Sequence, residues 1–173
     1  MRQSQTNKIL FLIFLTMENI QQKLDKYNTP YVPGEKRSPE YERQIRQKQT
    51  LKRRISIAKS LKYEAKYLLI NDNHLEQVNY LIALFNDKFK MLHKRASEET
   101  IILAFIFYTV RLDDSRINLN NYRISKKYHL NDQVFSLIIS RMFHIVMQEK
   151  PIVPSLTTDY NHDVLYDTHG KIK

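Results

Sequence analysis

The sequence contains no cysteine and no tryptophan, and only two of its 173 residues are glycine. The absence of cysteine excludes disulfide bonds, thiolate nucleophiles and cysteine-based zinc sites, and it fits an intracellular protein of the cytoplasm or the nucleus. Folds rich in β-structure use many glycines in tight turns, so the scarcity of glycine favours helices joined by polar loops. Because Gly34 and Gly170 are the only glycines, no glycine-rich phosphate-binding loop is possible.

Residue patterns that support catalysis or metal binding are also missing. The six histidines are scattered, no HExxH motif occurs, and no G-x-S-x-G motif marks a nucleophile. The pair Asp113–Asp114 is interpreted as a solvated turn at the end of a helix and not as a metal site. We therefore predict a protein that is not an enzyme and that has no small-molecule substrate, cofactor or metal.

Positive charge is the most informative feature of the composition. The chain has 28 Lys and Arg against 18 Asp and Glu, a formal net charge of +10 and a pI near 9.7. Residues 36–66 alone carry eleven Lys or Arg against three Glu. Such a balance favours a polyanionic partner, which we expect to be nucleic acid, and DNA in preference to RNA. A membrane-surface helix is the weaker interpretation, because the basic helix has few large aromatic anchors besides Tyr63 and Tyr67.

The N-terminal segment has three interpretations. Residues 9–15, ILFLIFL, resemble the short apolar region of a signal peptide, but a bilayer-spanning helix needs about 20 residues. The true start of translation is Met17, or the segment is a weak targeting signal, or it is an extra element docked on the core. Secretion agrees least with the lysines that follow and with the lack of cysteine.

The chain divides into three parts by composition. Residues 1–50 are predicted to form an N-terminal arm and linker with the start of a basic helix, residues 51–150 a helical domain, and residues 151–173 a C-terminal tail. Residues 28–41 hold three prolines and a glycine, which predicts an extended linker. Ser38 as cap and Pro39 in the first turn predict that the basic helix begins there and runs to about residue 69.

Four further helices follow from caps and from apolar residues spaced three and four apart. Asn73 with Glu76 resembles a capping box for a second helix that ends near residues 93–95. Ser97 caps a third helix, and a short fourth helix covers about 118–128. The last helix is predicted over residues 132–148.

The third helix contains residues 101–110, IILAFIFYTV, a run without a polar side. A helix that is apolar all round must be covered all round, and 15 residues span only about 22 Å, too little to cross a membrane. We therefore predict an all-α, five-helix bundle with this helix buried at its centre.

This layout resembles the cyclin box. The segment SEETIILAFIFYTVRLDD is similar to its third helix, LEQVNYLIALFNDKF to its second, and residues 117–146 to the fourth and fifth helices of transcription factor IIB-type repeats. The resemblance covers about residues 51–150 and a single repeat. It implies a cyclin-like domain with extended arms at both ends, a role in transcription, and a protein partner such as a polymerase or a kinase.

The last two helices also fit a helix-turn-helix. Its core spacings are met by Ile124–Ser125, Tyr128, Leu130–Asn131, Val134 and Ile138. Burial of the last helix in a cyclin box is favoured, because Phe135, Leu137 and Ile139 leave it little polar surface. The residues expected to face outward are Asp132, Gln133, Ser136, Ser140 and Arg141.

Three functional hypotheses follow. The first is a transcription-associated protein with one cyclin-like domain that binds nucleic acid; the second is a cyclin-type adaptor that binds proteins; the third is a dimeric helix-turn-helix repressor of viral or plasmid type. The predicted nucleic-acid-binding residues are Lys52, Arg53, Arg54, Lys59, Lys62, Lys66, Arg123, Lys126 and Lys127.

Overall fold

Residues 33–34 and 36–149 are described in a computed structural model of the chain. Six α-helices occur in this part: α1 (Pro39–Glu64), α2 (Asp72–Leu84), α3 (Phe89–Leu92), α4 (Glu98–Asp113), α5 (Arg123–Lys127) and α6 (Asp132–Glu149). Single 3₁₀ turns at Lys66–Leu68 and Leu119–Asn121 follow α1 and precede α5. No strand occurs among these residues, which confirms the all-α class. The predictions for residues 1–32 and 151–173, and thus for most of both arms, lie outside the described residues.

Helix α4 is the centre of the bundle, as predicted. All ten side chains of residues 101–110 are buried, none with more than 6% of its surface exposed. Helices α1, α2 and α6 pack around α4, and the Phe105 ring lies 6.1 Å from Phe85 and 6.0 Å from Phe89, between ring centroids. Each large apolar side chain buried here contributes about 2 kcal/mol before chain entropy is subtracted. Within residues 36–149, no helix combines the length and the apolar character needed to cross a membrane.

Two helix starts lie where the sequence predicts them. The Ser38 hydroxyl accepts a hydrogen bond from the Tyr41 amide at 3.2 Å, and Pro39 occupies the first turn of α1. The Ser97 hydroxyl accepts a hydrogen bond from the Thr100 amide, also at 3.2 Å, at the start of α4. Both are side-chain caps that satisfy amides left unpaired by the helix.

The start of α2 differs from the prediction. Asn71, and not Asn73, is the cap: its side-chain oxygen accepts from the His74 amide at 2.7 Å. The Asn71 amide in turn donates to Nδ1 of His74 at 3.2 Å, so a histidine completes the capping box in place of the expected Glu76. The other ring nitrogen of His74 lies 2.6 Å from the Asp113 carboxylate at the end of α4. This buried histidine therefore joins the start of α2 to the end of α4.

The predicted second helix is divided into α2 and α3. Helix α2 ends at Leu84, and Asn86 lies in the turn that follows. The Asn86 side-chain amide donates to the carbonyl of Gln47 at 3.1 Å, and its main-chain carbonyl accepts a hydrogen bond from Arg54. These contacts with α1 hold residue 86 in a turn, so the described domain has six helices where the sequence predicted five.

Candidate nucleic-acid interface

The turn between α5 and α6 has a defined hydrogen-bonding pattern. It consists of four residues, 128–131, and His129 takes the left-handed conformation with φ of 53°. The His129 amide donates to the carbonyl of Lys126 at 3.3 Å, and the Leu130 amide donates to that of Ser125 at 2.8 Å. This pair of bonds is the Schellman motif, in which a left-handed residue, usually glycine, ends a helix.

Both ends of this turn are fixed to other elements. The Asn131 side chain accepts from the Val134 amide at 2.8 Å and so caps the start of α6. The Thr100 hydroxyl, in the first turn of α4, donates to the carbonyl of Tyr128 at 2.8 Å. The direction in which α6 leaves the turn is therefore set by the central helix.

The residues at the helix-turn-helix positions named from the sequence are buried or half-buried, except for Asn131, which is exposed. Ile124, Ser125, Leu130 and Ile138 are buried, as that pattern predicts. Val134 and Tyr128 are half-buried, and Phe135 is buried in addition. Burial at these positions agrees with the helix-turn-helix hypothesis.

The outer side of α6 carries polar side chains and the apolar Leu137, which is 38% exposed. Asp132, Gln133, Ser136 and Ser140 are exposed, as predicted. Asp132 accepts a hydrogen bond from the Asn120 side chain at 2.9 Å. The fifth predicted outward residue, Arg141, is half-buried, and it donates to the carbonyl of Leu92 at 3.2 Å. Apart from Asp132, the exposed polar side chains in the first three turns of α6 are therefore Gln133 and two serines.

Four of the nine predicted cations are paired within the fold. Arg53 and Arg54 both contact the Glu98 carboxylate, and Lys62 contacts Asp72. Lys127 forms an ion pair with Glu64, which also accepts a hydrogen bond from the Tyr128 hydroxyl at 2.9 Å. The pKa of Glu64 is lowered, and the main cause is the hydrogen bond from Lys127. This last pair joins the end of α1 to α5.

Arg54 differs from the other predicted cations because it is buried, with 7% of its surface exposed. Its guanidinium donates to Glu98 at 2.7 and 3.0 Å, donates to the Asn86 side chain at 2.9 Å, and lies 3.8 Å from the centre of the Phe89 ring. Burial lowers its pKa, and the hydrogen bond to Glu98 opposes that shift. The structure places Arg54 as a link between helices, away from the solvent that a phosphate contact requires.

The other five predicted cations are all exposed. In the part of the chain that the structure describes, the side chain of none of the five forms an ion pair or a hydrogen bond. They fall into two groups: Lys52, Lys59 and Lys66 follow one side of α1 and the 3₁₀ turn after it, and Arg123 and Lys126 lie on α5.

Two further basic residues near the turn were not predicted as part of the site. Arg95 and His129 line a depression of about 360 Å³ together with Lys127. The sequence interpretation placed Arg95 at a helix C-terminus, whereas the helix ends at Leu92. Nothing in the sequence indicates this proximity, because 34 positions separate residues 95 and 129 and only the fold brings them together.

No family model, curated protein or solved structure matches this chain. Among the described residues, no group of three His, Asp or Glu side chains is placed to hold a metal ion.

Proposed function

We propose that this chain binds duplex DNA through α5 and α6, as a helix-turn-helix, and acts in transcription without catalysing a reaction. The observation that supports the proposal is the Schellman turn at His129, which joins α6, where Gln133 and two serines are exposed, to α5, where Arg123 and Lys126 are exposed. Both requirements of sequence-reading helices are present there: polar groups for base edges and cations for the approach to phosphates.

In this proposal α6 enters the major groove, which is about 12 Å wide and admits one helix. Gln133, Ser136 and Ser140 offer donors and acceptors to base edges, and a glutamine side chain pairs well with adenine. Arg123 and Lys126 on α5, together with Arg95 beside the turn, neutralise phosphates and orient the domain.

We further propose that α1, α2, α4, α5 and α6 are the five helices of a cyclin-like domain of the transcription factor IIB type. The burial of residues 100–110 of α4 and the packing of α4 against α1, α2 and α6 support this assignment. The resemblance also implies a role for the fourth and fifth helices near DNA, which agrees with the surface proposed here.

A homodimeric helix-turn-helix repressor uses the same surface and is the second candidate. It differs in predicting two copies of the chain on a site with two-fold symmetry. Light scattering separates the two candidates, because a monomeric protein that binds duplex DNA excludes the dimeric repressor.

Fluorescence anisotropy with a labelled mixed-sequence duplex tests the proposal. Three phosphate contacts by Arg95, Arg123 and Lys126 predict that log K falls against log salt with a slope of about −3. The double variant Arg123→Ala/Lys126→Ala is expected to bring the slope to about −1. The control variant, Lys52→Ala/Lys59→Ala on α1, also removes two positive charges. It is expected to keep the wild-type slope. Undetectable duplex binding, or equal slopes for the two double variants, contradicts the proposal.

A further inference from the structure

The outer face of α1 combines cations and exposed aromatic rings. Lys52 and Lys59 lie two turns apart on α1, about 10 Å along its axis, and Lys66 follows in the next turn of the chain. Tyr63 and Tyr67 are 73% and 89% exposed and lie beside these lysines. We call these five residues the α1 outer face.

The two exposed rings are unusual in this structure. Tyr80 and Tyr108 are buried, and Tyr122 is half-buried against the Phe107 ring, 5.5 Å away between centroids. Tyr63 and Tyr67 are by contrast the two most exposed aromatic side chains among the described residues, and burial in the core does not explain them. Exposed rings leave apolar surface in contact with water, and a binding partner that covers the rings removes this surface from water.

Tyr67 also forms one wall of a groove of about 660 Å³. Ala65, Tyr122 and Ile124 give the groove apolar and aromatic surface, and Arg123 supplies an exposed cation. The carboxylate of Glu64 is the acidic group of this groove, and Lys127 neutralises it. The groove is thus partly aromatic and carries a net positive charge, and it lies at the end of the α1 outer face.

Two chemical requirements follow for the occupant of this surface. It must carry repeated negative charge for the unpaired lysines, and it must offer flat faces to the two tyrosine rings. The stacked base pairs of a duplex hide their faces, whereas a single strand exposes both its phosphates and its bases. Surfaces that bind single strands combine cations with aromatic rings in this way, and each stacked base contributes about 1–3 kcal/mol.

We propose that the α1 outer face binds single-stranded nucleic acid. Bases stack on Tyr63 and Tyr67, the lysines contact the phosphates that flank those bases, and the groove beside Tyr67 receives one further base. The α1 outer face lies on different residues from the duplex-binding surface proposed on α5 and α6, and only the groove beside Tyr67 shares Arg123 with that surface. The inference rests on the tyrosines and lysines of the α1 outer face and does not depend on that proposal.

Anisotropy with a labelled oligothymidylate of about 15 nucleotides tests this inference. Tyr67→Ala is expected to weaken binding roughly 5- to 150-fold, the equivalent of losing one stacked base. Tyr67→Phe keeps the ring and is expected to bind within about two-fold of the wild type. Lys52→Ala/Lys59→Ala is expected to make the salt slope less steep by about 1.4, at about 0.7 for each single-strand contact.

The controls separate stacking from unfolding, from duplex binding and from membrane binding. Met91→Ala removes another exposed apolar side chain, on α3, and is expected to leave oligothymidylate affinity unchanged. The inference is overturned if Tyr63→Ala/Tyr67→Ala binds the oligothymidylate as the wild type does, or if that variant loses duplex affinity to the same extent. The third arm measures binding to vesicles of phosphatidylserine and phosphatidylcholine. The inference is also overturned if the tyrosine substitutions weaken binding to these vesicles but leave binding to the oligothymidylate unchanged. Absent duplex binding with retained oligothymidylate binding rejects the proposed function and leaves this inference standing.

Discussion

Arg53 and Arg54 are neighbours that share one carboxylate, but they differ in burial. The side chain of Arg53 is 63% exposed and that of Arg54 is 8% exposed, and both contact Glu98. Arg54 alone also donates to Asn86 and stacks on Phe89. Because ion pairs in water contribute little and buried ones are costly to break, the two arginines are expected to differ strongly in their effect on stability.

The magnitude follows from the groups that each substitution leaves without a partner. Arg54→Ala removes the stem that packs on Phe89 and leaves oxygens of Asn86 and Glu98 without the buried donor, so it is expected to cost about 3 kcal/mol. Because Glu98 keeps Arg53 as a partner, the expected loss of stability lies at the lower end of the range for breaking a buried ion pair, about 3–5 kcal/mol. Arg53→Ala removes an exposed pair and is expected to cost about 0–1 kcal/mol. The larger loss is a substantial part of the 5–15 kcal/mol that stabilises a typical domain.

Urea unfolding followed by circular dichroism measures this difference. Arg54→Ala is expected to lower the unfolding midpoint by about 1–3 M urea, and Arg53→Ala by a few tenths of that. Arg54→Met keeps an apolar stem without donors and is expected to lie between the two. Equal midpoints for Arg53→Ala and Arg54→Ala would refute the assignment of Arg54 as a buried link between α1, Asn86 and α4.

Three other outcomes are expected. Tyr108→Phe removes a buried hydroxyl that has no hydrogen-bond partner within the described residues, so thermal unfolding is expected to show stability unchanged or raised by about 1 kcal/mol; a loss above that value would reveal a partner for the hydroxyl. His129→Gly relieves a left-handed conformation and is expected to raise stability by about 0.5–1 kcal/mol, whereas a fall would contradict the turn geometry. The lowered pKa of Glu64 means that its contribution to stability is present above its usual value of 4.5 and is lost as pH falls through the lower folded-state pKa; Glu64→Gln should therefore flatten the acid limb of a plot of stability against pH, and an unchanged limb would exclude this contribution.

The sequence predicts the elements of this fold that depend on local patterns. The run at residues 101–110 has no polar side, so its burial follows from composition alone. Ser38 and Ser97 are caps because a hydroxyl before an acidic or proline-containing first turn satisfies free amides wherever the helix lies. The apolar spacing within residues 132–148 likewise predicts the last helix, and α6 occupies Asp132–Glu149.

Long-range contacts account for the errors. Asn71 outcompetes Asn73 as a cap because His74 can return the hydrogen bond, and the contact of His74 with Asp113 exists only in the folded domain. Arg54 belongs by composition to a basic run, and its burial depends on Asn86 and Glu98, more than 30 positions away. For the same reason the proximity of Arg95 to the α5–α6 turn has no sequence signal, so that part of the candidate site required the structure.

The binding of duplex DNA by α5 and α6 is tested most directly by nuclear magnetic resonance. An amide-resolved titration of the isotope-labelled chain with a mixed-sequence duplex reports which residues change environment. The proposal predicts that the largest shifts occur at residues 95 and 123–140, with Gln133, Ser136 and Lys126 among them. Shifts confined to α1, or none in the α5–α6 segment at saturating duplex, would contradict it.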